Sequence, residues 1–204
     1  MKRLLLIVLP FLLIVGCSSK EPKMVDIMTN EHSVKQIFED YHGVFIDQVY
    51  YGLANYDDVA DYNGFHLVDL AILIQMSNGK WLNWIWQEVE WKEDEGQYTT
   101  GISIMEGDIK QNLINDYTKI INVTKIKGWK SIRQKKIKSI KYSIKSIDNI
   151  NYISDLKFEF DNTSVTICAI EEPNPHILPE LVGLPYENNW TIVVFDEALL
   201  HKHN

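Results

Sequence analysis

The sequence predicts a mainly β fold, α+β with few short helices, whose antiparallel sheets are built from two related four-strand units. Three observations predict it. First, the chain echoes itself. Phe38, Tyr41, Ile46, Val49 and Tyr51 are matched without gaps by Trp129, Ile132, Ile137, Ile140 and Tyr142. "DLAILI" at 69–74 is matched by "DLKFEF" at 155–160, and "ISIME" at 102–106 by "IVVFD" at 192–196. Matches in one order at nearly constant offset mark a duplicated unit. Second, Val, Ile, Tyr, Phe and Trp dominate runs of strand length bounded by turn residues. Third, few stretches carry a helical period.

Each unit reads as four strands. In the first unit they are Ile46–Leu53, Val68–Met76, Trp81–Val89 and Tyr98–Met105. Asn78-Gly79 between the second and third is a strong short-hairpin signal. In the second unit they are Lys138–Ile147, Ser154–Phe160, Val165–Ile170 and Trp190–Phe195, with "DNTS" at 161–164 in the place of the first turn. The pseudo-repeats span about 34–109 and 125–199 within a single β-rich domain of residues 31–204. Helical pieces are short. Ser33 can cap a helix that runs through Tyr41. Asp108 can cap another, with Ile109, Leu113, Ile114 and Tyr117 on one face. "DEALLHKH" after the last strand reads as a terminal helical turn.

Ahead of the domain, Lys2 and Arg3 precede an apolar run from Leu4 to Val15. At ~1.5 Å per residue this run is about 18 Å long, too short for a bilayer core of ~30 Å. It has the proportions of a secretory leader. Its last residues, Ile14-Val15-Gly16-Cys17, resemble the lipobox of bacterial lipoproteins: two aliphatic residues, a small residue and a cysteine. The resemblance covers residues 1–20. It implies a diacylglyceryl group on the sulfur of Cys17, cleavage after Gly16, and acylation of the new amino group. The signal peptide would then be residues 1–16 and the lipidated tether 17–30. Two or three acyl chains anchor a protein stably, at about 0.8 kcal/mol per buried CH₂. The implied location is a bacterial cell membrane, outside the cytoplasm. Ser18 follows the cysteine, where lipoproteins retained at an inner membrane typically carry Asp. A Gram-negative owner would thus place the protein on the outer membrane, facing the periplasm.

The chain of 204 residues has a formal charge of −8, and loss of the leader removes Lys2 and Arg3 as well. With Cys17 lipidated, Cys168 is alone and no internal disulfide can form. Cys168 lies in the apolar run "VTICAI", as an inert buried thiol would.

The charges are unevenly spread. Residues 119–145 hold ten Lys/Arg and no Asp or Glu, half of all the basic residues in the chain. Lys125, Lys127, Lys130, Arg133, Lys135, Lys136, Lys138 and Lys141 crowd its centre. Such a run invites nucleic acid, but the export signal excludes it as a partner. Two uses remain. The lysines guard a sheet edge or form a solvated face, or they bind an anionic surface, phospholipid headgroups or an acidic envelope protein.

Other candidate surfaces are fewer. Trp81, Trp84, Trp86 and Trp91 fall close together. Trp84 and Trp86 point to one side of a strand and Trp81 to the other, as in a strand covered on both faces. Trp91 lies beyond that regular run and is the exposed candidate for stacking a ligand. Two long loops occupy equivalent places, "EVEWKEDEGQ" at 88–97 and the proline-rich "EEPNPHILPELVGLPYENN" at 171–189, which holds His176. Neither Glu171, Glu172 and His176 nor His201 and His203 have the spacing of a known metal site. Asp57, Asp58, Asp61 and Asn63 lack the order of an EF-hand loop. No nucleophile elbow, zinc-protease, phosphate-loop or dinucleotide motif is present. The expectation is a non-catalytic envelope binding or structural module without cofactor or metal. Its partners are membrane lipid through acylated Cys17 and an envelope protein or anionic surface. The binding candidates are Trp91, His176, Lys130, Arg133, Lys135, Lys136 and Lys138. An inhibitor or immunity-type protein acting on a toxin or hydrolase outside the cytoplasm is the second expectation, and an enzyme with a dispersed site the third.

Overall fold

The computed structural model describes residues 23–24, 31–54, 60–62, 64–92, 97–114, 118–147, 150–170 and 190–195. Cys17, His176, the 171–189 loop, Asp57, Asp58, Asn63, the terminal histidines and the expected terminal turn lie outside them.

The fold is mainly β, with two six-stranded antiparallel sheets. Helix α1 (Glu31–Glu39) precedes β2 (Ile46–Ala54), β5 (Ala71–Met76), β6 (Trp81–Lys92) and β7 (Gln97–Glu106), which form an antiparallel meander. Helix α3 (Lys127–Ile132) precedes β9 (Ser139–Ile147), β10 (Ile150–Glu159), β11 (Ser164–Ile170) and β12 (Trp190–Val194), which form a second meander. Both units therefore have the same order: one helix, then four strands each paired with the next. Each of the eight expected strands overlaps an observed one.

The sheets are completed by exchange. The chain between β2 and β5 forms a hairpin, β3 (Ala60–Tyr62) and β4 (Phe65–Val68), which pairs with β12 in the second sheet. The chain between the units forms β8 (Thr118–Asn122), which pairs with β2 in the first. The expected strand Val68–Met76 is therefore two. It breaks at Asp69-Leu70, where the chain leaves one sheet for the other, and Leu70 bonds Gly52 and Trp86 of the first sheet. A two-residue strand, β1 (Lys23–Met24), pairs with β7. Part of the expected tether thus belongs to a sheet.

The contacts between units are reciprocal. Phe38 of α1 packs on Tyr142 of β9, with ring centroids 5.3 Å apart, and Trp129 of α3 packs on Tyr51 of β2 at 6.5 Å. Phe38 matches Trp129 and Tyr142 matches Tyr51 in the repeat. Phe45 forms an isolated antiparallel bridge with Lys136, its own equivalent in the other unit. An interaction of a residue with its equivalent is what a two-fold relation produces. The helices also close alike. Gly43 has φ +75° and its equivalent Gln134 has φ +70°. A left-handed residue after a helix is a common stop, and glycine adopts it without a Cβ penalty.

One core lies between the sheets. It includes Tyr41, Val49, Tyr51, Ile72, Trp84, Ile104, Trp129, Ile132, Phe158, Ile167 and Val193, with Trp86, Ile140 and Tyr142 packed at its margin. Trp84 and Trp86 both donate their indole N–H to Oγ1 of Thr191 on β12, at 3.0 and 2.9 Å. These bonds contribute about 1 kcal/mol each and cross from one sheet to the other. The outer face of the first sheet carries a smaller cluster of Ala71, Leu73, Trp81, Ile85 and Ile109. Trp81 and Trp84 are thus buried on opposite sides of β6, and Trp86 packs at the core's margin. Helix α2 (Lys110–Leu113) covers that cluster, with the Lys110 ammonium over the rings of Trp81 and Tyr50 at 4.4 and 4.6 Å.

The helices differ from expectation in detail. α1 starts at Glu31, before Ser33. α2 is one turn long and stops at Leu113, so Ile114 is extended and exposed rather than part of an apolar face. Asp108 caps its approach by accepting from the Lys110 N–H at 3.1 Å.

Two glycine positions test this architecture. A Cβ at Gly128 would lie 2.3–2.5 Å from the Phe195 ring, and that ring is pinned edge-on against Trp129 and His66. Gly128→Ala is expected to destabilise the protein by about 1–3 kcal/mol in urea titration, with part of the loss recovered by adding Phe195→Leu. Gln134→Gly relieves a left-handed residue that costs roughly 1–2 kcal/mol. It is expected to raise the urea midpoint, whereas Gly43→Gln lowers it.

Candidate functional site: a basic edge

The basic residues run through β8, α3, the turn after it and β9. β9 is one of the two outer strands of the second sheet and β8 one of the two of the first. Helix α3 turns Trp129 and Ile132 inward. That spacing leaves Lys127 and Lys130 on the opposite side of the helix. Lys125, Lys127, Lys130, Arg133, Lys135, Lys136, Lys138, Lys141 and Lys145 are all exposed. The structure thus brings five of the expected binding residues, Lys130, Arg133, Lys135, Lys136 and Lys138, into one continuous stretch on the surface.

Two parts of this stretch differ electrically. Lys138 pairs with Asp161 at 2.7 Å, and Lys141 with Glu159 at 2.6 Å. Lys138 holds the Asp161 carboxyl below the usual carboxylate range. Glu159 is held down likewise, by hydrogen bonds from Lys141 and Ser139. Lys125, Lys127, Lys130, Arg133, Lys135 and Lys136 have no ion-pair partner among the described residues. Six of the cations without an ion pair therefore sit on α3 and its flanks, whereas Lys138 and Lys141, beside and on β9, are paired. Beside the β10–β11 turn an open cleft of ≈ 460 Å³ is lined by Lys138, Lys157, Glu159, Asp161 and Phe195, among others. Its ammonium groups face carboxylates, so the cleft adds little net field.

β9 also carries Ile144, 40% exposed, between Lys141 and Lys145. The pairing of β9 with β10 shifts between Ile153 and Asp155, beside this residue. Charged residues and an irregular register both blunt an open edge.

The remaining candidates fall elsewhere. β6 extends to Lys92 and pairs Trp91 with Tyr98, so Trp91 lies within a strand and not beyond it. The expected 88–97 loop is mostly strand for the same reason, with a register shift between Glu88 and Glu90. Closely spaced charged residues hid this extension, because Glu88, Glu90 and Lys92 read as loop in the sequence. Cys168 sits on β11. Burial and then the Asp155 carboxylate push its thiol up, which keeps it un-ionised at neutral pH and poorly nucleophilic. Among the described residues, no group of three His, Cys, Asp or Glu is placed to hold a metal ion. None of their helices is long and apolar enough to cross a membrane.

One polar cluster escaped the sequence. Trp129 donates its indole N–H to the Tyr51 hydroxyl at 2.5 Å, and that hydroxyl lies 2.8 Å from Nδ1 of His66. An indole only donates, so the Tyr51 oxygen accepts from it, and the His66 tautomer sets which of the other two groups donates. His66 is 1% exposed. The cluster joins β2, β4 and α3 and is spent on packing.

No protein-family model, curated protein or solved structure matches the chain.

The ion pairs give a direct titration test. In NMR-detected titration Glu159 is expected to have its midpoint below the ordinary ~4.3, and Lys141→Gln should move it upward. Because the carboxyl is depressed, the pair's stabilisation is complete at neutral pH and fades as the pH falls through that lowered midpoint.

Proposed function

We propose that this chain is a lipid-anchored cell-envelope protein whose β domain is a non-catalytic binding module working at the membrane surface. The leader that ends Ile14-Val15-Gly16-Cys17 carries the reading. A thioether-linked diacylglyceryl group and an N-acyl chain would hold the domain outside the cytoplasm, since each buried CH₂ contributes about 0.8 kcal/mol and two chains suffice. The domain suits such a post. Trp84, Trp86, Thr191, Tyr51, His66 and Trp129 are committed to joining two sheets, and the densest feature of the described surface is the run of cations. The exposed Lys130, Arg133, Lys135 and Lys136 are its binding element.

Labelling with a clickable fatty acid, in a host with intact lipidation, tests the anchor. The native chain is expected to take up label and to fractionate with membranes. Cys17→Ala is expected to take up none and to keep its leader. A native chain that never acquires label overturns the proposal.

A further inference from the structure

The ten basic residues of 119–145 face a chain that elsewhere carries ten more against all 28 acidic residues. The charge is therefore strongly polarised along the sequence, with one cationic run in an otherwise anionic chain. A negatively charged surface attracts such a run. Six cations between Lys125 and Lys136 lack an ion-pair partner among the described residues and are exposed, so no internal pair has to break when they meet an anion. Ile144, an exposed aliphatic residue between Lys141 and Lys145, extends the same edge along β9. Cations around an exposed aliphatic group suit the headgroup region of a bilayer.

The position of β1 supplies the second argument. Lys23 is paired in the first sheet opposite Glu106. It is six Cα steps from Cys17, which at ~3.3 Å each reach about 20 Å. β1 and β8 are the two outer strands of that sheet, five strand spacings or roughly 24 Å apart. A domain held at β1 by so short a lead can bring its basic edge down by lying across the surface.

We infer that the edge formed by α3, the turn after it and β9 is a docking surface for anionic phospholipid headgroups, and that it fixes the orientation of the domain on its membrane. The orientation rests on the lipid-anchor reading; the affinity for anionic lipid does not. An edge so used reads charge density and not a particular headgroup, since flexible lysines act as point charges. It binds more weakly as salt shortens the Debye length from ~10 Å at 0.1 M to ~3 Å at 1 M.

The test uses the chain from Ser18 to Asn204, which carries no acyl group and retains every described strand and helix. Its cosedimentation is measured with phosphatidylcholine vesicles, with and without phosphatidylglycerol. Binding is expected only with phosphatidylglycerol, and is expected to disappear at 1 M salt. Replacing Lys130, Arg133 and Lys135 together by Gln should weaken it roughly a hundredfold, from the contribution of a basic residue near such a surface. Lys35→Gln with Lys80→Gln should leave it within about twofold. Thermal melting of each variant checks that the exposed substitutions leave the fold intact. Equal binding to both vesicle types, no binding to either, or equal losses in the two sets of variants would overturn the inference. Capture of an acidic protein by a chain that ignores both vesicles would do so too. Because this chain is acyl-free, the result is independent of whether Cys17 is modified.

Discussion

The buried hydroxyl of Tyr51 accepts a hydrogen bond from Trp129 and shares another with His66, and so joins three segments that are far apart in the chain. These hydrogen bonds are buried, and breaking a buried one costs roughly 1–3 kcal/mol, so the three segments stabilise one another. Tyr51 belongs to the first sheet, His66 to the second, and Trp129 to the helix that opens the second unit. Phe195 then fills the space beside His66 and Trp129, and only a residue without a side chain fits at Gly128 beneath it. The equivalent contact of the other unit is Phe38 on Tyr142. There the tyrosine is half-buried, and its aromatic partner has no N–H to place. The two units thus share a packing scheme but divide its polar burden unequally.

That scheme explains why the units cannot be treated as neighbours on a string. Each helix packs on the first strand of the opposite unit, and each sheet is finished by strands from outside its own meander. The bridge between Phe45 and Lys136 marks where the two copies meet. The left-handed residues at Gly43 and Gln134 show the same backbone solution reached with and without glycine. The basic edge follows from this arrangement. The linker between the units supplies β8 and the second unit opens with α3 and β9, so their lysines lie along outer strands of both sheets.

The strands were legible because their residues are locally consistent: branched and aromatic runs, Asn78-Gly79, and the spacing of Phe38, Tyr41 and Ile46 against Trp129, Ile132 and Ile137. Partner choice was not. Val68–Met76 read as one strand, and Phe65–Leu67 was not read as strand at all, because nothing local distinguishes a strand that changes sheet from one that bends. β8 was hidden for a related reason. Thr118–Asn122 is short, and its pairing depends on Tyr50–Ala54, more than sixty residues earlier. The exposed lysines were visible as a run of charge, but their division into paired and unpaired groups was not. It depends on the register that sets Lys141 opposite Lys157 and brings Glu159 within reach. Trp91 went wrong through the opposite error, closely spaced charges taken for the end of order.

The exchanged hairpin also sets an order of events. A chain made from its N-terminus completes β4 long before β12, yet β4 has no partner in its sheet except β3 and β12. Until the last of these strands has emerged, Phe65–Val68 lacks its β12 partner, and pairing over such a separation is slow. Maturation is therefore gated by completion of the polypeptide. A nascent chain arrested before Trp190 would be a client for holding factors rather than a half-built domain.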